Sequence, residues 1–538
     1  ASAAVLGALA FAGAPSAAAA PTDVSESLGK FLGGDVVLGG VDLDAIAEVE
    51  GAEAAYPSGD GLDTNPLSAD VLDALGVNLT DTLQLFGPNG VVQLGAVNQY
   101  AAADADGATA ASGAVTDQGG ISVGGSEQFP ADATVSLTPL VPDDLQGSTV
   151  SQLDLSLGAL SATAQAEPGS TTGDYQIAGA TVDLTSPLVG GVYTQLQDAI
   201  APVQTSLDGL SDTLTTAVEG TLGLLDASPL TQATSTVDVT VPDLSTVLPS
   251  GFVGDGAVQV NLQTGQVSVD LEQLLADDPD LPDLNELPAN TEILDGAVVA
   301  AIADAVTSTI TSIVQDVADG VRTAVESAAV SLDVTVGARL LPTGPYADVL
   351  GITLDAPLSA IDDGTATASV DVLGTQALLD VVLGVLGTST DALASTIVNA
   401  LLAPVGAVFT LVDTLETTLD GITGPLAADV VGPVLDVLTG VVSLTGNVQE
   451  QPGDLPAQDP SGAESFTERA LSLRLLSFGT GDDLATVNLA SATVRAVEAP
   501  SITVDPATVQ AGAETTVSGT GFAPETDLAV QLTDAAGD

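Results

Sequence analysis

The sequence predicts an α+β protein: antiparallel β-sheets packed with long amphipathic helices, followed by a truncated immunoglobulin-like β-sandwich at the C-terminus. Three observations predict it. Three long stretches carry apolar residues at the helical period, short alternating segments lie between them, and the texture changes at Ser501 to brief alternating runs separated by turn residues.

The first twenty residues join an apolar run, Val5 to Ala12, to Ala14-Pro15-Ser16 and the small series Ala17 to Ala20. That pattern reads as the later part of a secretory signal, cleaved near Ala19 or Ala20. Alternation then marks strands at Val150 to Leu157 and Ala180 to Leu184. The first helical stripe follows: Val192, Leu196, Ile200, Val203, Leu207, Leu210, Leu214, Val218, Leu222 and Leu225 advance about 3.7 residues per step. Strands are expected again at Val237 to Val241 and across Val258 to Val269, where Thr264-Gly265 between two alternating runs predicts a hairpin. Asp277 to Pro288, rich in Pro and acid, reads as a linker. Leu294, Val298, Ile302, Val306, Ile310, Ile313, Val317, Val321 and Val325 form the second stripe. After a strand at Ala366 to Val372 comes the third, Leu393, Ile397, Leu401, Val405, Val408, Val412, Leu415 and Leu419. Pro202 and Pro404 are expected to kink or divide the first and third helices. Asn447 to Gly462 reads as a second linker, and Leu471 to Leu475 and Ala485 to Val494 as strands.

The chain also echoes itself. Ala180-Thr181-Val182-Asp183-Leu184 and the helical run reaching Ala201-Pro202-Val203 parallel Ala368-Ser369-Val370-Asp371-Val372 and the run reaching Ala403-Pro404-Val405, at offsets of 188 and 202. Either an old duplication or a low-diversity composition produces such an echo. The expected organisation is a signal at 1–20, an N-terminal region at 21–146, strand-and-helix units at 147–288 and 289–497, and an incomplete immunoglobulin-like module at 498–538.

Composition restricts the chemistry more than it suggests any. The 538 residues include no His, Cys, Met or Trp, and six Lys plus Arg stand against 72 Asp plus Glu, for a formal charge of −66. Ser-His-Asp and Cys-His catalysis cannot be assembled from this chain. Phosphate neutralisation needs clustered Lys or Arg, so nucleic acid is not an expected partner. No run of eighteen apolar residues occurs, so no transmembrane segment is expected. Aromatic residues are 3% of the chain, which leaves the core to Ala, Val, Leu and Ile and gives a sugar few platforms to stack on. A carboxylate-based carbohydrate-active enzyme therefore stays an alternative only because two acids suffice for glycoside hydrolysis. Ser27-Leu28-Gly29-Lys30 has the S-x-x-K spacing of a Ser-Lys enzyme but no companion motif, and reads as the first turn of a helix.

Calcium is the one candidate cofactor, since its oxygen ligands are what the chain supplies. Candidate ligands are Asp60, Asp63 and Asn65 in a Gly-rich loop, Asp104 and Asp106 before Gly107, and Asp277, Asp278, Asp280 and Asp283. None has EF-hand spacing, and solvated turns are the plainer reading of each. The acidic composition also leaves open a calcium-stabilised matrix or lattice subunit and self-assembly.

Tyr56-Pro57-Ser58-Gly59-Asp60-Gly61-Leu62-Asp63-Thr64-Asn65-Pro66-Leu67, Phe86-Gly87-Pro88 and Leu94-Gly95-Ala96-Val97-Asn98-Gln99-Tyr100 resemble the N-terminal part of the choice-of-anchor G family, over a span from about Val36 to Val497. Members are secreted Gram-positive surface proteins that share a body and differ in C-terminal anchor. The resemblance implies display at the cell surface or wall and supplies no catalytic residues. With the composition, it leads to the expectation of a secreted structural or adhesive protein without catalytic activity, binding an unidentified glycan or protein.

Overall fold

The computed structural model describes the chain from Asp23 to Thr520 except residues 38–40, 47–49, 68–76, 78–83, 87–90, 95, 117, 122–132, 255, 456–462, 500 and 509–512. The expected signal at 1–20 lies outside the described residues. Strands pair antiparallel and helices pack on sheets without closing a barrel, which makes the fold α+β. Two compact units form, one from Ala1–Thr185, Ser268–Ile302 and Val434–Asp538, the other from Ser186–Val267 and Ala303–Pro433. They interleave along the chain, so the linear boundaries expected at 147–288 and 289–497 do not mark compact bodies.

The first unit is organised by a long sheet. Its strands β1 (Ser25–Val36), β2 (Val41–Asp42), β3 (Ala52–Tyr56), β16 (Thr291–Glu292), β20 (Val442–Glu450), β21 (Phe466–Leu476) and β22 (Asp483–Ala496) run in the order β16-β20-β21-β22-β1-β2, with β3 also on β1. A second sheet, of β4 (Leu62–Thr64), β6 (Asn98–Ala103), β7 (Ala108–Gly113), β10 (Leu160–Glu167) and β11 (Ser170–Ile177), has the order β11-β10-β7-β6-β4 and packs against the upper half of the first. The facing residues are small. Ala101, Ala110, Ala162, Ala164 and Ala492 are buried, and a Cβ at Gly29 would fall inside the carbonyl oxygens of Ala111 and Tyr100.

Close approach lets hydroxyls bridge the layers: Ser25 Oγ donates to Asp104 O (2.5 Å), Ser27 Oγ to Ala102 O (3.0 Å) and Ser112 Oγ to Lys30 O (3.2 Å). Strand alternation sends Ser27 to this interface and Lys30 to the opposite face. The S-x-x-K stretch is therefore strand, not helix, and its two functional groups are separated by the sheet. Lower on the same strands the assignment of faces reverses: Leu32, Leu471, Leu473, Val487 and Leu489 are buried, while Arg474 is exposed and Thr486 and Asn488 are half-buried.

A third sheet joins β5 (Val92–Leu94), β8 (Ala133–Ser136), β9 (Gln152–Leu157) and β12 (Ala180–Thr185). After it β13 (Thr231–Val239), β14 (Val258–Asn261) and β15 (Gln266–Asp270) follow in sequence. The expected tight turn lies between the last two: Gly265 has φ 73° and its N–H donates to Asn261 O (2.9 Å). Beyond the body, β23 (Ser501–Asp505) and β24 (Thr516–Thr520) form an antiparallel pair with every residue exposed.

The second unit places helices on one face of the sheet β13-β17-β18-β19, with β17 at Ala329–Ala338, β18 at Ala347–Pro357 and β19 at Ser369–Val372. The helices are α1 (Pro187–Asp208), α2 (Leu210–Asp226), α5 (Leu358–Asp362), α6 (Gln376–Leu386), α7 (Thr390–Thr423) and the part of α4 (Gly296–Ser327) from Ala303 on. The short α3 (Leu271–Asp277) and α8 (Gly432–Val441) complete the α-helices among the described residues. Every residue of the three predicted stripes is buried. The first helix breaks at Gly209, not at Pro202; Pro202 lies inside α1 with an exposed ring, where water can satisfy the carbonyl it frees. Pro404 lies inside α7 without dividing it.

By length and composition α4 and α7 could each cross a membrane, yet one face of each is buried in the fold, and Asp304, Asp316 and Asp319 of α4 are exposed. Polar faces here are built from hydroxyls more than charge. Thr213, Thr216, Thr410, Thr414 and Thr418 each donate to the carbonyl four residues back.

Both expected linkers are structured over the residues described. Along Asp277 to Pro288, Leu284 and Leu287 are buried, and Tyr175 OH donates to Leu284 O (3.1 Å) and accepts from Leu287 N–H (2.8 Å). Residues 447–450 of the other finish β20. The sequence echo also differs in setting: β12 alternates buried and half-buried, whereas β19 is an edge strand with three of four residues exposed.

Replacing Gly29 by Ala is expected to lower stability by at least about 2 kcal/mol, through overpacking against backbone. Gly220→Ala, on an exposed helical position with open space around it, is expected to raise it by about 0.5–1 kcal/mol. Urea melts of the two variants check both signs.

Candidate functional site: charged groups on the two faces of the central sheet

The upper half of the long sheet holds charge on both faces, and both faces are covered. In β21 the run Thr467-Glu468-Arg469 alternates, so Glu468 points toward the second sheet while Thr467 and Arg469 point away from it. On that far face, Lys30, Ser491 and Arg469 stand opposite one another across β1, β22 and β21. Arg469, 3% exposed, binds Glu450 Oε1 (3.3 Å) and Asp454 Oδ2 (3.1 Å) and donates from Nε to Ser491 Oγ (2.9 Å). Arg495 pairs with Glu26, also buried, and Lys30 Nζ lies 3.0 Å from Asp44 Oδ1. Between the arginines, the buried hydroxyls of Thr467 and Thr493 share a hydrogen bond (2.7 Å).

Three of the six cations in the chain thus occupy one face of one sheet. Burial pushes the Asp454 carboxyl above its ordinary value; Arg469 opposes the shift, and Glu450 and Asp44 add to it. Burial likewise raises Glu26, with Arg495 offsetting part.

The near face carries Glu468 alone. Its Oε2 accepts from Gln449 Nε2 (3.0 Å), and Oε1 has no hydrogen-bond partner among the described residues. Gly173 of β11 makes room for it, since a Cβ there would collide with the carboxyl. Burial moves Glu468 up to about 7, against the Gln449 hydrogen bond and with help from the charge of Asp174. Tyr175 beside it is pushed up to about 12, chiefly by burial. Glu468 therefore carries its proton well above the ordinary carboxyl range, inside a closed layer.

Of the three carboxyls with raised pKa, Glu468 faces the second sheet, whereas Glu26 and Asp454 lie on the far face, bound to Arg495 and Arg469, so Glu468 cannot flank one glycosidic bond with either. A cleft of about 580 Å³ opens lower on the sheet, lined by Gly34, Asp35, Val36, Val37, Asp42, Asp44, Thr486 and Asn488; none of the three raised carboxyls lines it. Within it Asp44 is engaged by Lys30 and by Gly34 N–H (3.4 Å).

The candidate calcium ligands do not converge: among the described residues no three acidic side chains gather to hold a metal. Asp63 Oδ2 accepts from Glu53 N–H (3.1 Å), and Asn65 donates to Glu50 O (2.8 Å). Asp60 offers its backbone carbonyl to Ala55. Asp104 Oδ1 accepts from Asp106 and Gly107 N–H (2.8 and 3.0 Å), a turn closed on itself. Asp277 ends α3, Asp278 Oδ1 accepts from Asp280 N–H (3.0 Å), and Asp283 O from Glu286 N–H (2.9 Å).

The segment that carried the family resemblance has a structural use: Gln99, fully buried, accepts from Phe31 N–H (2.8 Å) and donates to Asn65 O (2.8 Å), pinning the two sheets. Sequence reasoning missed Glu468 and Arg469 because the strand was expected only from Leu471, whereas β21 begins at Phe466. The signal was their place at the head of the alternating run to Leu475.

A family model described as a domain of unknown function, DUF8394, matches residues 27–495. The chain belongs to the DUF8394 family. Its matched span begins in β1 and ends in β22, strands that pair with each other through Ser27 and Val494, so the DUF8394 domain closes where its first and last strands meet. The β23–β24 pair lies outside it. No curated protein and no solved structure matches the chain.

Because Glu468 has a folded pKa above its ordinary 4.5, its stabilising contribution is complete below that pH and is lost as pH rises toward about 7. Wild type is expected to lose on the order of 3 kcal/mol across this window relative to Glu468→Gln. Paired pH series of urea melts measure the difference.

Proposed function

We propose that this DUF8394 protein is a secreted, non-catalytic structural or adhesive module displayed on a Gram-positive cell surface. The observation that carries the reading is the use made of its cations. Lys30, Arg322, Arg469, Arg474 and Arg495 are each ion-paired to carboxylates of the fold, and Arg339 is bound by two backbone carbonyls. The five ion-paired cations are committed to holding structure. The unusual acids are likewise engaged by the fold: Glu468 is sealed between sheets, Glu26 is buried against Arg495, and Asp454, 39% exposed, is bound to Arg469.

An exterior dominated by carboxylates and hydroxyls suits a protein that stays dissolved, because like charge opposes indiscriminate aggregation. Scarce Lys and Arg, with no Cys or Met, leave few targets for trypsin-like proteases or oxidants. The resemblance around Tyr56 to Tyr100 supports surface display.

Tagged protein in a Gram-positive host is expected in the wall or medium fraction and open to antibody on intact cells. Retention inside the cell would count against display. Saturable cleavage of a wall or matrix polymer, lost in Glu468→Gln or Asp454→Asn, would overturn the non-catalytic assignment.

A further inference from the structure

We infer that one end of the β13-β17-β18-β19 sheet is a self-docking surface that joins the chain to a second copy of itself. Exposed apolar side chains gather there: Leu340 (61% exposed), Leu341 (69%) and Tyr346 in the β17–β18 turn, with Val372 and Leu373 (59%) at the end of β19. The turn and the strand end are neighbours, because Leu373 and Gly374 N–H both donate to Val349 O, two residues past the Ala338–Ala347 pair that closes the hairpin.

The same end holds Arg339. Its guanidinium lies 4.3 Å from the centroid of the Tyr346 ring, and Nε and Nη1 donate to Pro229 O (2.8 Å) and Gly344 O (3.1 Å). Unlike the other five cations, it has no carboxylate partner among the described residues. Arginine stacked on tyrosine amid exposed leucine is the composition of an interface centre.

The choice of a second copy rests on charge. Asp348 and Asp371, exposed on β18 and β19, have no ion-pair partner among the described residues, so the patch carries both a cation lacking a carboxylate and carboxylates lacking a cation. A two-fold contact satisfies both at once, because each copy's Arg339 meets the other's acids. Among the described residues β19 pairs only with β18, and an antiparallel edge can add its own copy across the same axis. A basic partner would be drawn equally to carboxylates elsewhere on a chain of charge −66 and would meet Arg339 here. Long-range repulsion between two such chains weakens with salt while the leucine contact does not. Self-association should therefore strengthen as ionic strength rises.

Sedimentation velocity of the 538-residue chain between about 20 mM and about 500 mM NaCl tests this. The expected result is a dimer fraction that grows with salt and protein concentration. Leu341→Asp and Leu373→Asp should each weaken it at least tenfold without moving the melting curve, while Leu62→Asp, an exposed leucine of the first unit, leaves it intact. A monomer under all conditions, a dimer indifferent to Leu341→Asp, or equal loss in Leu62→Asp would overturn the inference. The test reads association of purified protein and does not depend on where the protein is displayed.

Discussion

The ladder between β1 and β22, with the Glu26–Arg495 pair buried on its far face, is the constraint on which the first unit depends. These partners are 469 residues apart, so the sheet cannot close until nearly the whole domain has been made. Removing one member of a buried pair strands the other charge without water, at a cost of about 3–5 kcal/mol. The same reasoning applies to Arg469, whose two carboxylates and one hydroxyl leave little of the guanidinium unbound. Contacts this distant also make folding slow relative to local structure. A chain exported before it folds would meet that requirement naturally, because both ends would be present when the sheet forms.

Scarcity of cations shapes everything else. An ordinary helix surface is stabilised by alternating Glu and Lys one turn apart. Here α2 and α7 use threonine, each hydroxyl bonded to its own backbone, so no counter-charge is needed. Between the sheets of the first unit the same economy of side chains appears as alanine, glycine and serine, which allow backbones to approach until hydroxyls reach across. Such a core contains little volume per residue, so its stability rests on fit: the alanines and glycines that face one another cannot shift to absorb an extra methyl group.

Glu468 stands out, with the buried amide of Gln99, in a sandwich fitted largely with small residues. Burial of a carboxyl with one oxygen lacking a hydrogen-bond partner among the described residues favours its protonated form. Its setting combines a glycine on the facing strand and one amide donor, an arrangement of shape as much as of charge. On the other face of the same strand the charges are matched by ion pairs. One strand thus illustrates two ways of burying a charged residue type, neutralisation by proton and neutralisation by counter-ion.

The three helical stripes were legible because helix period and burial are written in nearest neighbours: each apolar residue predicted for a core face is buried. Thr264-Gly265 was legible for the same reason, since a positive φ at Gly265 is a local demand. The helix break at Gly209 was misplaced to Pro202, because whether a proline interrupts a helix depends on whether its freed carbonyl finds water. Linkers were misread where distant groups bind them; nothing near Leu284 in sequence announces Tyr175.

The candidate site was the least legible part. Its acids and arginines acquire their character from strands far apart in the chain. Alone, the sequence determined the long helices with their apolar stripes, the shortage of cations and the chemistry that this shortage excludes, all properties of composition and local spacing. Only the tertiary structure decided which carboxyls lose their water, which cations hold them, and that Ser27 and Lys30 face apart, because desolvation and charge pairing act through space between strands that the sequence does not place together.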